Sequence, residues 1–263
     1  MTYCLGMLLQ DGLVLMADTR TNAGVDNFST FRKLHKLTAE PDREIYAATA
    51  GNLSVSQSVI SLVQEDQLRA ETGDASKSLS DAPTMFRAAQ IVGEAVARIS
   101  ETVGTALAKE HIDSGVELLV GGRIGDDRLQ LFHIYAIGNF IECTPEVPFL
   151  QIGETKYGRP ILDRALAYRT PLPEAVKIGI LSFDSTMKSN LGVARPIDVL
   201  VLPADPRRPG LTRRIGRDDP YFDQLTRAWG EVLGTAALDL PNPPWMGEPR
   251  QRETAGEAAE GIS

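Results

Sequence analysis

The sequence predicts an α+β fold, two antiparallel sheets stacked face to face with helices on the outside. Two observations carry this reading. The elements run as strands, two helices, strands, two helices and a closing strand, which is not the alternation of a parallel α/β sheet. The strand segments are short, apolar and separated by Gly/Asp turn signals, while the helical segments repeat their apolar residues at helical spacing. At 263 residues, with 43 % apolar and 24 % charged residues, the chain is long enough for one well-buried core.

Thr2–Leu9 and Leu13–Ala17 are rich in strand formers, and Gln10-Asp11-Gly12 between them is a turn signal, so the chain opens with a β-hairpin. A three-residue loop with Gly12 in the left-handed region would pair Leu9 with Leu13 and set Cys4 opposite Asp18, with Thr2 diagonal to it on the same face. A two-residue loop would turn Asp18 to the other face. Lys33–Leu37 and Glu44–Ala50 form a second strand pair around Glu40-Pro41-Asp42-Arg43. Leu53–Glu71 reads as a helix through Val55, Val59, Ile60, Leu62 and Val63, and Gly73–Asp81 as a polar loop. A long helix spans about Pro83–Glu110, with Met85, Ala88, Ile91, Val92, Ala95, Ile99, Val103 and Leu107 at helical spacing. Strands return at Val116–Gly121, Leu129–Tyr135 and Phe140–Cys143. Helices follow near Gly158–Tyr168 and from Pro173 to about Met187, and Ile197–Leu202 is the closing strand.

The character changes after Pro203. Residues 1–203 read as the main domain. Residues 204–248 form an extension, with a proline- and arginine-rich stretch and an amphipathic helix at Tyr221–Leu233 carrying Phe222, Leu225, Trp229 and Val232. An aromatic-bearing helix of this kind needs a surface to bury its face. Residues 249–263 are polar and poor in aromatics, the composition of a disordered tail.

A net charge of −8 argues against a general nucleic-acid binder. No apolar run approaches a membrane span, and no basic region followed by an apolar core opens the chain, so a cytoplasmic location is expected. The two cysteines, Cys4 and Cys143, are then expected to be reduced, with Cys4 packing as a small buried hydrophobe. His35, His111 and His133 have no metal spacing, no phosphate-binding P-loop is present, and no metal or cofactor is expected.

Thr2 is the first residue left once the initiator methionine is removed, a step expected before so small a side chain. It would then carry a free α-amine, able to act as a base near neutral pH, beside its own nucleophilic hydroxyl. A threonine at this position means little alone. Here it stands in the frame Thr2-Tyr3-Cys4-Leu5-Gly6, Ala17-Asp18-Thr19-Arg20-Thr21-Asn22-Ala23-Gly24-Val25-Asp26, Phe31-Arg32-Lys33 and Phe183-Asp184-Ser185-Thr186-Met187-Lys188-Ser189-Asn190-Leu191. Over roughly residues 2–240 this frame resembles the proteasome β-subunit type of N-terminal-nucleophile (Ntn) hydrolase, and within it the bacterial ancestral β-subunit family called Anbu.

The resemblance implies a four-layer αββα sandwich and an N-terminal threonine peptidase that forms an acyl-enzyme on Thr2. It places Lys33 as the active-site lysine, with Lys36 as rival, and Asp18 as the acid that orients it. The oxyanion donor of the Ala-Gly-x-x-Gly turn falls on Ala48, where the glycine is replaced, and substrate-backbone contacts fall on Asn22 and Ala50. A Gly-Ser-Gly serine is replaced by Glu154. Ser189 matches the serine of a second motif, whose aspartate falls on Thr186, with Asp184 two residues earlier. The implied partners are further copies of the chain in a ring or open spiral, a peptide or unfolded-protein substrate, and a separate ATP-dependent unfoldase. The replaced positions also admit an assembly protein of the same fold with little proteolysis, or a small-substrate amidase.

Overall fold

The computed structural model describes residues 1–22, 28–38, 40–71 and 78–246. Most of the expected polar loop Gly73–Asp81 and the tail from residue 249 lie outside these residues. The described chain is a mixed α/β fold with two five-stranded antiparallel sheets and five α-helices.

The first sheet has the order β10-β1-β2-β11-β12, made of β1 (Tyr3–Leu9), β2 (Gly12–Asp18), β10 (Phe149–Gly153), β11 (Ile197–Pro203) and β12 (Leu211–Ile215). The second runs β5-β6-β7-β8-β9, made of β5 (Leu34–Lys36), β6 (Arg43–Gly51), β7 (Val116–Ile124), β8 (Gln130–Ile134) and β9 (Phe140–Glu142). A short ribbon pairs β3 (Arg20–Asn22) with β4 (Phe28–Thr30). The helices are α1 (Leu53–Glu71), α2 (Met85–Lys109), α3 (Arg159–Ala165), α4 (Leu172–Ser189) and α5 (Pro220–Asp239).

Three apolar clusters hold these elements together. Cys4, Leu8, Leu13 and Leu15 of the first sheet meet Leu34, Ala48, Leu119 and Leu131 of the second. On the far side of the second sheet, Ile45, Leu118, Val120 and Phe132 pack against Val55, Val59 and Val63 of α1 and Ala88, Val92 and Val96 of α2. On the far side of the first, Tyr3, Leu5, Met7, Val14 and Met16 pack against Ala175, Ile178 and Phe183 of α4. Every residue of β1 and β2 is therefore buried, as in a sheet covered on both faces. Arg123 on β7 ties the sheets at one end, pairing with Glu44 and donating from Nη1 to the carbonyls of Pro203 at 2.9 Å and Ala204 at 3.1 Å.

The first hairpin departs from expectation. Leu9 pairs with Gly12 and Cys4 with Ala17, so the loop is the two residues Gln10-Asp11, not three. Cys4 is not opposite Asp18, and alternation puts Asp18 on the side of Val14 and Met16. Four strands fall outside those the sequence predicts: the ribbon strands β3 and β4, and β10 and β12 of the first sheet. β10 is only five residues long. β12 reads Leu-Thr-Arg-Arg-Ile, and its arginines suit an edge strand while hiding any apolar alternation. Because β12 pairs along β11, the first sheet continues past Pro203, where the composition changes.

Candidate active site around Thr2 and Lys33

Thr2 enters the first sheet just ahead of β1. Its carbonyl accepts the Glu154 N–H at 2.7 Å. Gly153 makes this approach possible: it has φ +82°, and a Cβ there would collide with the Thr2 carbonyl oxygen. Thr2 and Lys33 line one cleft of about 370 Å³ together with Met1, Thr21, Thr49, Ala50, Gly51 and the first residues of α1.

Lys33 immediately precedes β5 and is 3 % exposed. Its ammonium lies 2.8 Å from Asp18 Oδ1 and also donates to the Arg20 carbonyl. Lys36, the rival, is exposed. Asp18 is fully buried, and its carboxylate also accepts the N–H groups of Tyr3 at 3.0 Å and Arg20 at 3.1 Å. Burial raises the Asp18 pKa, and the Lys33 ammonium and these donors draw part of that shift back. The register reversal at the hairpin does not separate Asp18 from the cleft. At the end of β2 its carboxylate takes the Tyr3 N–H in place of a ladder carbonyl and from there reaches Lys33.

The second sheet contributes the opposite wall. Thr49 N–H donates to the Lys33 carbonyl at 3.0 Å, and Asn52 N–H to the Gly115 carbonyl at 2.8 Å. Alternating N–H groups of β6 therefore face β5 and β7. Gly51, at the end of β6, lines the cleft. Gly51 has φ +100° and is exposed. Ala48, by contrast, is fully buried in mid-strand between Leu34 and Leu119. Ala48, the expected oxyanion donor, does not line the cleft, whereas Gly51, at the strand end of the same stretch, does. Ala50 lines the cleft. Asn22 is in β3, and its side chain lies outside the described residues.

Asn52 caps α1, its Oδ1 accepting from Ser54 N at 3.0 Å and Val55 N at 3.3 Å. The positive end of α1 therefore faces the cleft. Thr21 Oγ1 is buried without a hydrogen-bond partner among the described residues, the one such hydroxyl in the cleft wall.

The residues of the second motif do not line this cleft. Ser189 ends α4 and is exposed. Thr186 is buried and donates back to the Ser182 carbonyl at 2.9 Å, while Asp184 pairs with Lys188 at 2.8 Å. The following residue, Asn190, makes the connection, donating to Glu154 Oε2 at 2.8 Å. Among the described residues no cluster of His, Cys, Asp and Glu could hold a metal ion, and no helix is long and apolar enough to cross a membrane.

Solved structures share this arrangement of elements. Anbu (ancestral β-subunit) from Yersinia bercovieri is 42 % identical with a TM-score of 0.82, the match covering 92 % of this chain and 99 % of that one. Anbu from Hyphomicrobium sp. strain MC1 is also 42 % identical, with a TM-score of 0.83 and the same coverage. The chain belongs to the Anbu family. A third Anbu, from Pseudomonas aeruginosa, was solved as a helical assembly; it is 42 % identical with a TM-score of 0.84, over 92 % of this chain and 98 % of its own. No family model and no curated protein matches the chain. Anbu, the ancestral β-subunit, is a proteasome-like family.

Proposed function

We propose that this chain is an N-terminal threonine peptidase of the proteasome β-subunit type, a four-layer αββα sandwich acting in the cytoplasm as a self-assembled homo-oligomer. The observation that carries the proposal is the burial of the Lys33 ammonium against Asp18 in the cleft that Thr2 lines. After Met1 removal, the Thr2 amine takes the hydroxyl proton and Thr2 Oγ adds to a peptide carbonyl. The Lys33 charge favours the neutral amine and the developing alkoxide. Gly51 N–H and the start of α1 face the oxyanion. The tetrahedral intermediate collapses to an ester on Thr2 as the amine product leaves, and water, activated by the same amine, hydrolyses it. Met1 must be absent, since an amide nitrogen cannot act as the base.

Peptides and unfolded segments suit the cleft that Thr2 lines. An ATP-dependent unfoldase would supply them. The helical assembly of the Pseudomonas relative supports an open spiral over a closed ring. The test joins intact mass of the native protein with turnover of unstructured peptides. Loss of Met1, covalent labelling of Thr2 by a threonine-directed electrophile, and loss of turnover in Thr2→Ala are expected. Retained Met1 in the native cell would overturn the reading.

The second reading is an assembly protein of this fold with little proteolysis. It is favoured by Glu154, which stands in the serine position and is held by Asn190, and by the outward Ser189. Mature Thr2 that no electrophile labels would decide for it.

A further inference from the structure

Glu154 is a buried carboxylate that lacks a counter-ion. It follows β10 and is 8 % exposed. Among the described residues its side chain takes neutral donors only: Asn190 Nδ2 at 2.8 Å on Oε2, and the Lys156 N–H at 3.5 Å on Oε1. A carboxylate withdrawn from water without a cation is costly to keep. The other charged groups near this end of the first sheet are already matched. Lys33 pairs with Asp18 of β2, Lys188 pairs with Asp184 on α4, and Glu117 of β7 is bonded to His133.

The start of the chain passes this carboxylate. The Thr2 carbonyl accepts the Glu154 N–H at 2.7 Å. On the other side of the Met1–Thr2 peptide bond, Met1 lies against Gly192: a Cβ at Gly192 would stand 2.5 Å from Met1 Cβ and 3.0 Å from Asn190 Oδ1. Asn190 joins the two contacts. Its Oδ1 accepts the Gly192 N–H at 2.8 Å while its Nδ2 holds Glu154. The Thr2 nitrogen therefore lies between a residue hydrogen-bonded to Glu154 and one packed on the turn that holds the Glu154 carboxylate. While Met1 is attached, that nitrogen is an uncharged amide. Removal of Met1 turns it into an amine that can bind a proton, beside a carboxylate that has no cation.

We infer that Glu154, aimed by Asn190, is the counter-ion of the α-amine that Met1 removal frees on Thr2, and so a positioning residue for the base of the proposed peptidase. The inference rests on that reading and adds a second charge to it. Lys33 favours the neutral amine and Glu154 the ammonium, so the balance of the two sets the pH at which the base becomes available. Only the processed chain has this pair.

Competitive acetylation of the mature protein across pH, with the N-terminal peptide read by mass spectrometry, tests it. This gives the titration midpoint of the Thr2 amine without needing turnover. In Glu154→Gln the midpoint should fall by about one pH unit or more, the effect of losing an adjacent opposite charge. Asn190→Ala keeps the carboxylate but removes its tether. It should move the midpoint the same way by less, and it decides alone if Glu154→Gln does not fold. Peptide turnover should follow. Below both midpoints, Glu154→Gln should keep about tenfold or more of its own plateau rate relative to wild type. A side chain that only supports the fold would lower turnover at every pH and leave the midpoint in place. A midpoint unchanged in the folded variants would overturn the inference and leave the peptidase reading standing. Retained Met1 in the native cell would overturn both.

Discussion

Asp18 Oδ1 is shared between the Lys33 ammonium at 2.8 Å and the Tyr3 N–H at 3.0 Å. Tyr3 follows Thr2 directly, so one carboxylate oxygen ties the lysine to the point where the chain enters the sheet. The placement of Lys33 relative to Thr2 is thereby tied to one fully buried carboxylate. Asp18 is on this geometry a positioning residue for both.

Asp18→Asn should therefore be costly. It leaves the Lys33 charge buried without its counter-ion, a loss of about 3–5 kcal/mol when one partner of a buried pair is removed. Urea unfolding will measure it, and Lys33→Met added to Asp18→Asn should recover much of the loss. The pH dependence carries a definite sign. Burial raises the folded-state pKa of Asp18. Between the ordinary aspartate value and that raised value the native state binds the proton more tightly than the unfolded state does. Asp18 therefore lowers stability as pH rises through this window, and Asp18→Asn should remove that slope.

Most of the fold was legible because its signals are local. The helix expected at Leu53–Glu71 has those limits, and Val116, Phe140 and Ile197 each begin a strand as read. What the sequence hid depends on contacts between distant segments. Nothing local in Leu211–Ile215 says that its arginines line the edge of a sheet begun at Tyr3. The hairpin register turned on one residue of loop length, which Gln-Asp-Gly leaves open. At the site, the motifs single out Asp18 and Lys33, and the fold pairs them at 2.8 Å. That Gly51 lines the cleft is not legible, because a motif counts residues, whereas the cleft is formed by segments distant in sequence. Asn190 was missed since its link to Glu154 spans 36 positions.

Glu117 offers a second pH signature. Its carboxylate accepts from His133 Nε2 at 3.1 Å and from the Gly153 N–H, and the His133 bond foremost holds its pKa below the usual glutamate range. The stability this gives is present above the ordinary glutamate pKa and is lost as pH falls through the lowered folded value. Glu117→Ala should thus destabilise at neutral pH and converge with wild type in acid. Thermal melts at the two extremes will show it. The effect should be modest because the side chain is 40 % exposed. Gly153 also positions Thr2, so any peptide turnover should fall together with stability.

The two thiols should be silent. Cys4 is fully buried, and burial pushes its thiol pKa up despite the nearby Lys33 charge; Cys143 is pushed up to about 12. A disulfide-exchange reagent should release no colour from the native protein and two equivalents in denaturant, matching the two cysteines of the chain. Rapid native reaction at Cys4 would mean that the strand pair around Asp18 opens readily.

The assignment of the oxyanion donor is open to a direct contrast. Ala48 lies in mid-strand, fully buried with strands on both sides, and its N–H belongs to the ladder toward Leu119. Ala48→Gly should cost about 1 kcal/mol in stability, the backbone-entropy penalty of a glycine in a strand, and leave turnover per folded molecule near wild type. Gly51→Ala meets a different obstacle. Its φ of +100° disfavours any Cβ, and the added atom would collide with the Gly115 carbonyl oxygen. The strand end must shift, and the oxyanion donor proposed there moves with it. Loss of one preorganised oxyanion donor lowers turnover by about 10²–10³-fold. Gly51→Ala should show a loss of that size, beyond what its unfolded fraction explains. Equal losses in the two variants, normalised to folded protein, would return the role to Ala48.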